Sequence, residues 1–333
     1  MIRKVILILL YIGLPAIAAL TVVTVLEGYF TEPADPSRTE LTLIEIPESS
    51  RFKELAQRLE EQGIVKNRWP LIVIAKIQGK DVLVKAGEYQ LAPSMTPSQI
   101  LSIITEGRIF LRRFTVKEGM TMKEIGPLLE QVGILSAQEF QSALRDKSAL
   151  QSLRITADSF EGYLYPETYQ FPRATKPLKI LTAMTEQLNK IWDPAWDQKL
   201  QELQLTKHQL LTLASIIEKE SGNVDEQPMI ASVFYNRLRS GMRLQSDPTV
   251  IYGIPNFNGN ITRTDLETPT PYNTYTIDGL PPGPICNPGI TAIRAALQPA
   301  STNYLYFVGN GQGRHVFSEN LDDHNRAVNE FQR

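Results

Sequence analysis

The stretch Lys207 to Glu220 (KHQLLTLASIIEKE) closes on two glutamates, followed by Ser221 and Gly222, and acid–base chemistry is best placed here. Leu210, Leu213, Ala214 and Ile217 recur at i, i+3, i+4 and i+7, the pattern of a helix with a buried face, and Glu220 extends that row. A glutamate on the last turn of a buried helix meets two effects of one sign. Desolvation penalises its carboxylate, and the negative end of the helix dipole penalises it further. Both raise its pKa, as a general acid that must hold a proton near neutral pH requires. Glu218 is the rival. It lies about 200° away around the helix and also flanks the apolar stripe, so helical angle alone does not choose between them. A solvated helix end would carry the same Glu-Lys-Glu, with Gly222 placed to cap it.

Other reactive side chains are few. Cys286 is the single cysteine, so no intramolecular disulfide is expected, and it reads as a small buried residue rather than a nucleophile. His208, His315 and His324 belong to no H-E-x-x-H or Cys/His ligand pattern, and no metal is expected. His315 and His324 can still share a site in space, although surface or satisfied core positions are the simpler reading. Glu161 to Tyr169 (EGYLYPETY) is dense in aromatics, which either stack on sugar rings or fill a core, the commoner fate. With 34 Lys and Arg against 36 Asp and Glu, and no long like-charge block, the chain lacks the basic face that nucleic-acid binding needs.

The elements that must position these groups fall into about two domains for 333 residues, and a 42% hydrophobic content is enough for a real core. Leu41 to Ile46 alternates like a strand, and Ser49 and Ser50 are placed to cap a helix starting near Arg51. That helix should bury Phe52, Leu55, Ala56 and Leu59 and stop at Gly63. IPESSRFKELAQRLEEQGIV, from Ile46, aligns without gaps to VKEGMTMKEIGPLLEQVGIL, from Val116, matching at the buried face and the terminating glycine. Duplication and convergence of a strand–turn–helix unit both account for it. Between the copies the pattern predicts a helix around Trp69 to Ile77, a strand around Leu83 to Leu91, and a helix around Pro97 to Thr105. Leu135 to Leu203 reads as mostly helical.

The N-terminus carries an uncharged run from Val5 to Leu26, long enough to span a bilayer core, which takes roughly 20 apolar residues as helix. Arg3 and Lys4 precede it, predicting a cytoplasmic N-terminus and an exported remainder. Ala16-Ile17-Ala18 resembles a signal-peptide cleavage site, but the run continues well past it, so a retained anchor is the reading. Glu32 to Thr39 (EPADPSRT) reads as a linker. The resulting division is 1–30 cytoplasmic tip and anchor, 31–40 linker, 41–110 a small β-α module, and 111–333 the catalytic part.

The Glu-Ser pair, then Arg243-Leu244-Gln245-Ser246-Asp247-Pro248-Thr249, then Pro271-Tyr272-Asn273-Thr274-Tyr275, resembles the ordered signature of goose-type lysozyme-like lytic transglycosylases. More closely, EKES…ASVFYNRL…GMRLQSDPTVIYG…ITRTDLETPTPYNTYTIDGLPPGPICNPG resembles the YceG-like (MltG) family of endolytic murein transglycosylases, as do EGYLYPETY and YLYFVGNGQGRHVFSENLDDHN. The resemblance covers the anchor and essentially all of the exported chain. It implies an α+β fold: an N-terminal transmembrane helix, a LysM-like β-α module at 41–110, and a lysozyme-like, mainly helical catalytic domain with β insertions.

The resemblance also implies a lyase that cuts the MurNAc–GlcNAc β-1,4 bond of nascent peptidoglycan strands. It leaves 1,6-anhydro-MurNAc ends, terminates elongation and uses no cofactor. Glu220, which precedes Ser221, is then the catalytic acid and base. Gln245, Ser246 and Asp247 would line the groove, and Tyr272 and Asn273 would orient sugar groups, although turn chemistry explains the same residues. One departure stands out: where the broader lysozyme-like class has Gly-Leu-Met-Gln, this chain has Arg243-Leu244-Gln245, which weakens the role carried over to Gln245. Glycoside hydrolysis usually needs a second carboxylate, for which Asp247 and Glu161 are the candidates. A muramidase-type hydrolase of the same bond is therefore the nearest alternative, and a non-catalytic peptidoglycan-binding scaffold the next. The expected partners are glycan strands and the bilayer of a bacterial inner (plasma) membrane, with peptidoglycan synthases as further candidates.

Overall fold

The computed structural model describes residues 21, 28–48 and 50–332. The run Val5–Leu26 lies, apart from Thr21, outside the described residues, and among those described no helix is long and apolar enough to cross a membrane. The chain divides into two compact units, one ending at Leu111 and the other beginning at Arg112.

In the first unit, strand β1 (Thr42–Ile46) leads to helices α1 (Phe52–Glu61) and α2 (Arg68–Ile77), then strand β2 (Gly87–Leu91) and helix α3 (Pro97–Glu106). β1 and β2 pair antiparallel, Thr42 opposite Leu91 and Ile46 opposite Gly87. Ile44 and Ile46, two apart and so on one face of the strand, join Phe52, Leu55, Ala56 and Leu59 of α1 and Ile100, Leu101 and Ile104 of α3 in one core. The serine cap expected for α1 is not formed at Ser50. Arg51 holds the N-cap position without a side-chain bond, and the Ser50 hydroxyl accepts from Arg58 instead. The strand expected from Leu83 starts only at Gly87. The stretch read as a linker is tied down, since Asp35 N–H donates to Pro93 O and Ser94 N–H to Arg38 O.

The second unit is mainly helical: strand β3 (Arg112–Thr115), helices α4 (Met122–Gln131), α5 (Ala137–Leu144) and α6 (Lys147–Ser152), and strand β4 (Thr168–Phe171), which pairs antiparallel with β3. Helices α7 (Pro177–Ile191), α8 (Ala195–Leu203), α9 (Lys207–Glu220), α10 (Gln227–Arg239), α11 (Asp247–Gly253), α12 (Arg263–Glu267) and α13 (Ile290–Leu297) follow. The hairpin β5 (Tyr306–Gly309) and β6 (His315–Ser318) and helix α14 (Leu321–Phe331) complete a mixed α+β fold.

The two copies of the aligned segment take one local structure. Leu55, Ala56 and Leu59 of α1 correspond to Ile125, Gly126 and Leu129 of α4, and all six are buried. Gly63 and Gly133 end the two helices at φ +70° and +73°, the left-handed conformation that a residue without Cβ adopts cheaply. The N-caps differ, because Glu124 accepts from both the N–H and the hydroxyl of Thr121, a box that α1 lacks.

Two clusters fill the second unit. One gathers Phe114, Ile125, Phe140, Phe160, Tyr169, Phe171 and Met184. The other surrounds α9, whose Leu210, Leu213, Ala214 and Ile217 pack with Ala292, Ile293 and Ala296 of α13 and Ile230 and Phe234 of α10. The aromatics of Glu161–Tyr169 belong to these cores: Tyr163, Tyr165 and Tyr169 are all buried. Cys286 is buried too, its Sγ 3.3 Å from Ser215 O, and burial raises its thiol pKa well above the ordinary value.

Candidate active site

Thr206 and Gln209 start α9 with a reciprocal capping box, and the 14-residue helix delivers Glu220 at its final position. The helix ends without a left-handed glycine. Ser221 is extended, and its hydroxyl both donates to Asn223 O and accepts from Asn223 N–H, so this small turn, not Gly222, carries the chain away.

Glu220 opens into a cleft of about 500 Å³ whose lining also includes Arg237, Gln245, Asp247, Tyr275, Tyr306, His315 and His324. Its Oε1 accepts from Ser246 Oγ at 2.5 Å. Burial raises its pKa most, the Ser246 hydrogen bond and the Arg237 charge oppose, the Asp247 charge adds, and the result is about 7. Glu218 faces elsewhere. Its Oε2 accepts from Gly289 N–H at 2.9 Å, at the N-terminus of α13, where a carboxylate complements the helix dipole. The rotation that left the two glutamates ambiguous in sequence thus sends one to a helix cap and the other to the cleft.

The loop before α11 is held by buried hydroxyls. Ser246 N–H donates to Thr274 Oγ1, Thr249 Oγ1 lies 2.8 Å from Thr274 Oγ1, and Gln245 N–H donates to Thr274 O. Gln245 itself sits at φ +51°, a conformation that side chains carrying Cβ rarely adopt, and it points the chain so that Ser246 reaches Glu220. Asp247 accepts from Tyr275 OH at 2.6 Å. Arg237 braces the opposite side, donating to Leu305 O at 2.7 Å, to Leu244 O at 2.8 Å and to Gln245 Oε1 at 3.4 Å.

Of the residues singled out in sequence, the structure therefore gathers Glu220, Gln245, Ser246 and Asp247. Tyr272 does not line the cleft; its ring packs on Tyr252 at 4.8 Å. Asn273 is fully buried, its Nδ2 donating to the carbonyls of Asp265, Leu266 and Thr268 and its Oδ1 accepting from Tyr275 N–H, which makes it a clamp for the loop. Glu161 is also buried away from the cleft. It accepts from Met122 N–H and Tyr252 OH, and burial raises its pKa to about 7.

Cleft residues that escaped the sequence reading as site residues include Arg237, Tyr275, Tyr306, His315 and His324. The two histidines line the cleft rather than occupying unrelated surface or core positions, and His315 Nδ1 lies 2.8 Å from Glu226. Tyr275 had a signal, its place three residues after Tyr272. Arg237 had another, an arginine inside an apolar helical run. Among the described residues no group of three or more His, Cys, Asp or Glu is placed to hold a metal ion.

The fold and cleft define a class: a mixed α+β protein with one proton-holding glutamate at a helix end, braced by a serine hydroxyl. The chain belongs to the YceG-like family, whose model matches residues 44–330. It is 33% identical over 316 residues to a Bacillus subtilis protein named endolytic murein transglycosylase, covering 90% of this chain and 87% of that one. A Streptococcus pneumoniae protein of the same name is 30% identical over 330 residues, and the match spans 60% of its length. A YceG-like protein of Listeria monocytogenes, known from a crystal structure, aligns with TM-score 0.60 and 33% identity over 86% of this chain and 99% of that one.

Proposed function

We propose that this chain is an endolytic murein transglycosylase, cutting the MurNAc–GlcNAc β-1,4 bond with Glu220 as acid and base. The observation that carries the reading is the state of Glu220, a carboxyl at the cleft with a pKa of about 7. With Oε1 engaged by Ser246, the acid proton belongs on Oε2, free to reach a glycosidic oxygen. As that proton moves, the C1–O4 bond breaks, and the Ser246 hydrogen bond stabilises the carboxylate that forms. The carboxylate then takes the proton of the MurNAc 6-hydroxyl, whose oxygen bonds to C1 and closes the 1,6-anhydro ring. Glu220 ends protonated again, and no water is consumed. Holding the 6-hydroxyl near C1 makes this second step intramolecular, a large advantage in effective concentration.

Asp247 supports a second reading. It lines the same cleft as Glu220, and a second carboxylate is what a hydrolase acting with water would use. Incubating the protein, wild type and Glu220→Gln, with uncrosslinked glycan strands and identifying the new ends by mass spectrometry separates the two. Anhydro ends from the wild type alone support the transglycosylase. Reducing MurNAc ends make it a hydrolase, and a Glu220→Gln protein as active as wild type removes Glu220 from the mechanism.

The finer organisation belongs to the same proposal. Residues 41–110 act as a LysM-like module that contacts glycan, and the second unit is a lysozyme-like catalytic domain. The Val5–Leu26 run holds the enzyme on the outer face of the bacterial inner membrane, beside nascent strands and their synthases, where a cut terminates elongation. Protease added to intact spheroplasts would degrade the chain from its C-terminal side if this orientation is right, and would leave it whole if the enzyme faces the cytoplasm.

A further inference from the structure

The cleft has a second wall with no role in the proton transfers, built by β5, β6 and α14. Tyr306 stands in it, its ring 5.2 Å from the Arg237 guanidinium carbon and stacked on His324 with centroids 5.1 Å apart and planes 23° from parallel. His324 Nδ1 is buried without a hydrogen-bond partner. Burial, and then the Arg237 charge, lower the His324 pKa from its ordinary 6.5, which favours the neutral ring. A neutral imidazole carries one N–H. Placed on Nδ1, that N–H would be a buried donor with no acceptor, a rarer and costlier defect than a lone pair left unused. The proton therefore sits on Nε2.

The charges of the cleft narrow what this wall can hold. Glu220 and Asp247 both line it, and Arg237, its one arginine or lysine among the described residues, already donates to main-chain carbonyls. An anion would meet two carboxyl groups and a single arginine whose Nε and Nη1 are already engaged. An uncharged polar ring would meet aromatic surface from Tyr306 and Phe307 and amides from Asn325 and Gln332, the mixture that suits the apolar faces and hydroxyl rim of a sugar.

Building on the glycan-cleaving reading, we propose that the β5–β6–α14 wall is a saccharide subsite beside Glu220. Tyr306 backs the His324 ring, and His324 Nε2–H donates to a hydroxyl or acetamido oxygen of an N-acetylhexosamine there. His324 is a binding residue in this scheme and moves no proton.

The test uses full-length protein and uncrosslinked glycan strands. His324→Phe keeps a flat ring for Tyr306 and removes the N–H, whereas His324→Gln returns an amide N–H close to the Nε2 position. The expected result is a KM raised roughly 5- to 10-fold in His324→Phe, the loss of one neutral hydrogen bond, with kcat and its pH dependence unchanged and the loss largely recovered in His324→Gln. A wild-type KM in His324→Phe overturns the proposal. So does an equal loss in both variants accompanied by a lower Tm, which would make the ring a packing element only. Calorimetric binding of a GlcNAc tetramer to Glu220→Gln protein, with and without His324→Phe, reads the subsite without turnover. Equal affinities overturn it and weaker binding in the double variant supports it, whether or not the wild type forms anhydro ends.

Discussion

Ser246 donates its hydroxyl proton to Glu220 Oε1 at 2.5 Å while its own N–H is fixed on Thr274 Oγ1 at 2.9 Å. One serine thereby joins the end of α9 to the loop at 271–275 and sets which carboxyl oxygen faces the cleft. Orientation and acidity are controlled by the same contact.

Ser246→Ala separates those effects. A hydrogen bond to the carboxylate lowers its pKa, so removing it raises the Glu220 pKa above about 7. The alkaline limb of kcat/KM, where the acid loses its proton, should move to higher pH, and the plateau should fall about 10-fold as Oε1 loses its anchor. An alkaline limb left in place would show that Ser246 does not tune Glu220.

Glu220→Gln should abolish turnover by at least about 100-fold, the range for losing a general acid, while Glu218→Gln retains most of it. Glu218→Gln keeps an oxygen that can accept from Gly289 N–H. Cleavage assays on the two proteins, with circular dichroism to confirm the fold, test the assignment. A dead Glu218→Gln beside an active Glu220→Gln would reverse it.

Arg237→Ala leaves the carbonyls of Leu244 and Leu305 without their charged donor inside the protein. A loss of about 3 kcal/mol in unfolding free energy is expected, measurable by urea titration. Under conditions where the variant stays folded, the Glu220 limb should also shift upward in pH, because Arg237 helps hold the pKa down.

Gly162 takes φ +82°, and a Cβ built there would collide with the ring of Pro284. Gly162→Ala therefore combines backbone strain with overpacking and should cost about 2–4 kcal/mol. A Tm within a degree or two of wild type would mean that the 284–287 segment yields easily.

Stability itself should fall with rising pH in one window. Burial raises both Glu161 and Glu220 from 4.5 to about 7 in the folded protein. The unfolded chain releases these protons first, so the stability present below pH 4.5 is lost as pH rises toward 7. Glu161→Gln removes one of the two groups, and its Tm should decline less between pH 5 and pH 8 than that of the wild type. Parallel Tm curves would place the Glu161 pKa near its ordinary value.

The sequence by itself determined the local elements. The apolar row from Leu210 to Ile217 defined α9, its C-terminal glutamates and their raised pKa, because helical periodicity and desolvation depend on neighbours a few positions away. The aligned segments at Ile46 and Val116 likewise announced two strand–helix units ending in left-handed glycines. Only the tertiary structure decided which glutamate faces the cleft, because that depends on Ser246, twenty-six positions on, and on Gly289, seventy-one positions on, arriving at opposite sides of one helix end. It also turned Asn273 inward onto three carbonyls and brought Arg237, His315 and His324 to the cleft. Local pattern records which residues prefer burial. Which polar group meets which partner is fixed only when distant segments pack, since each buried donor and acceptor must then be satisfied in place.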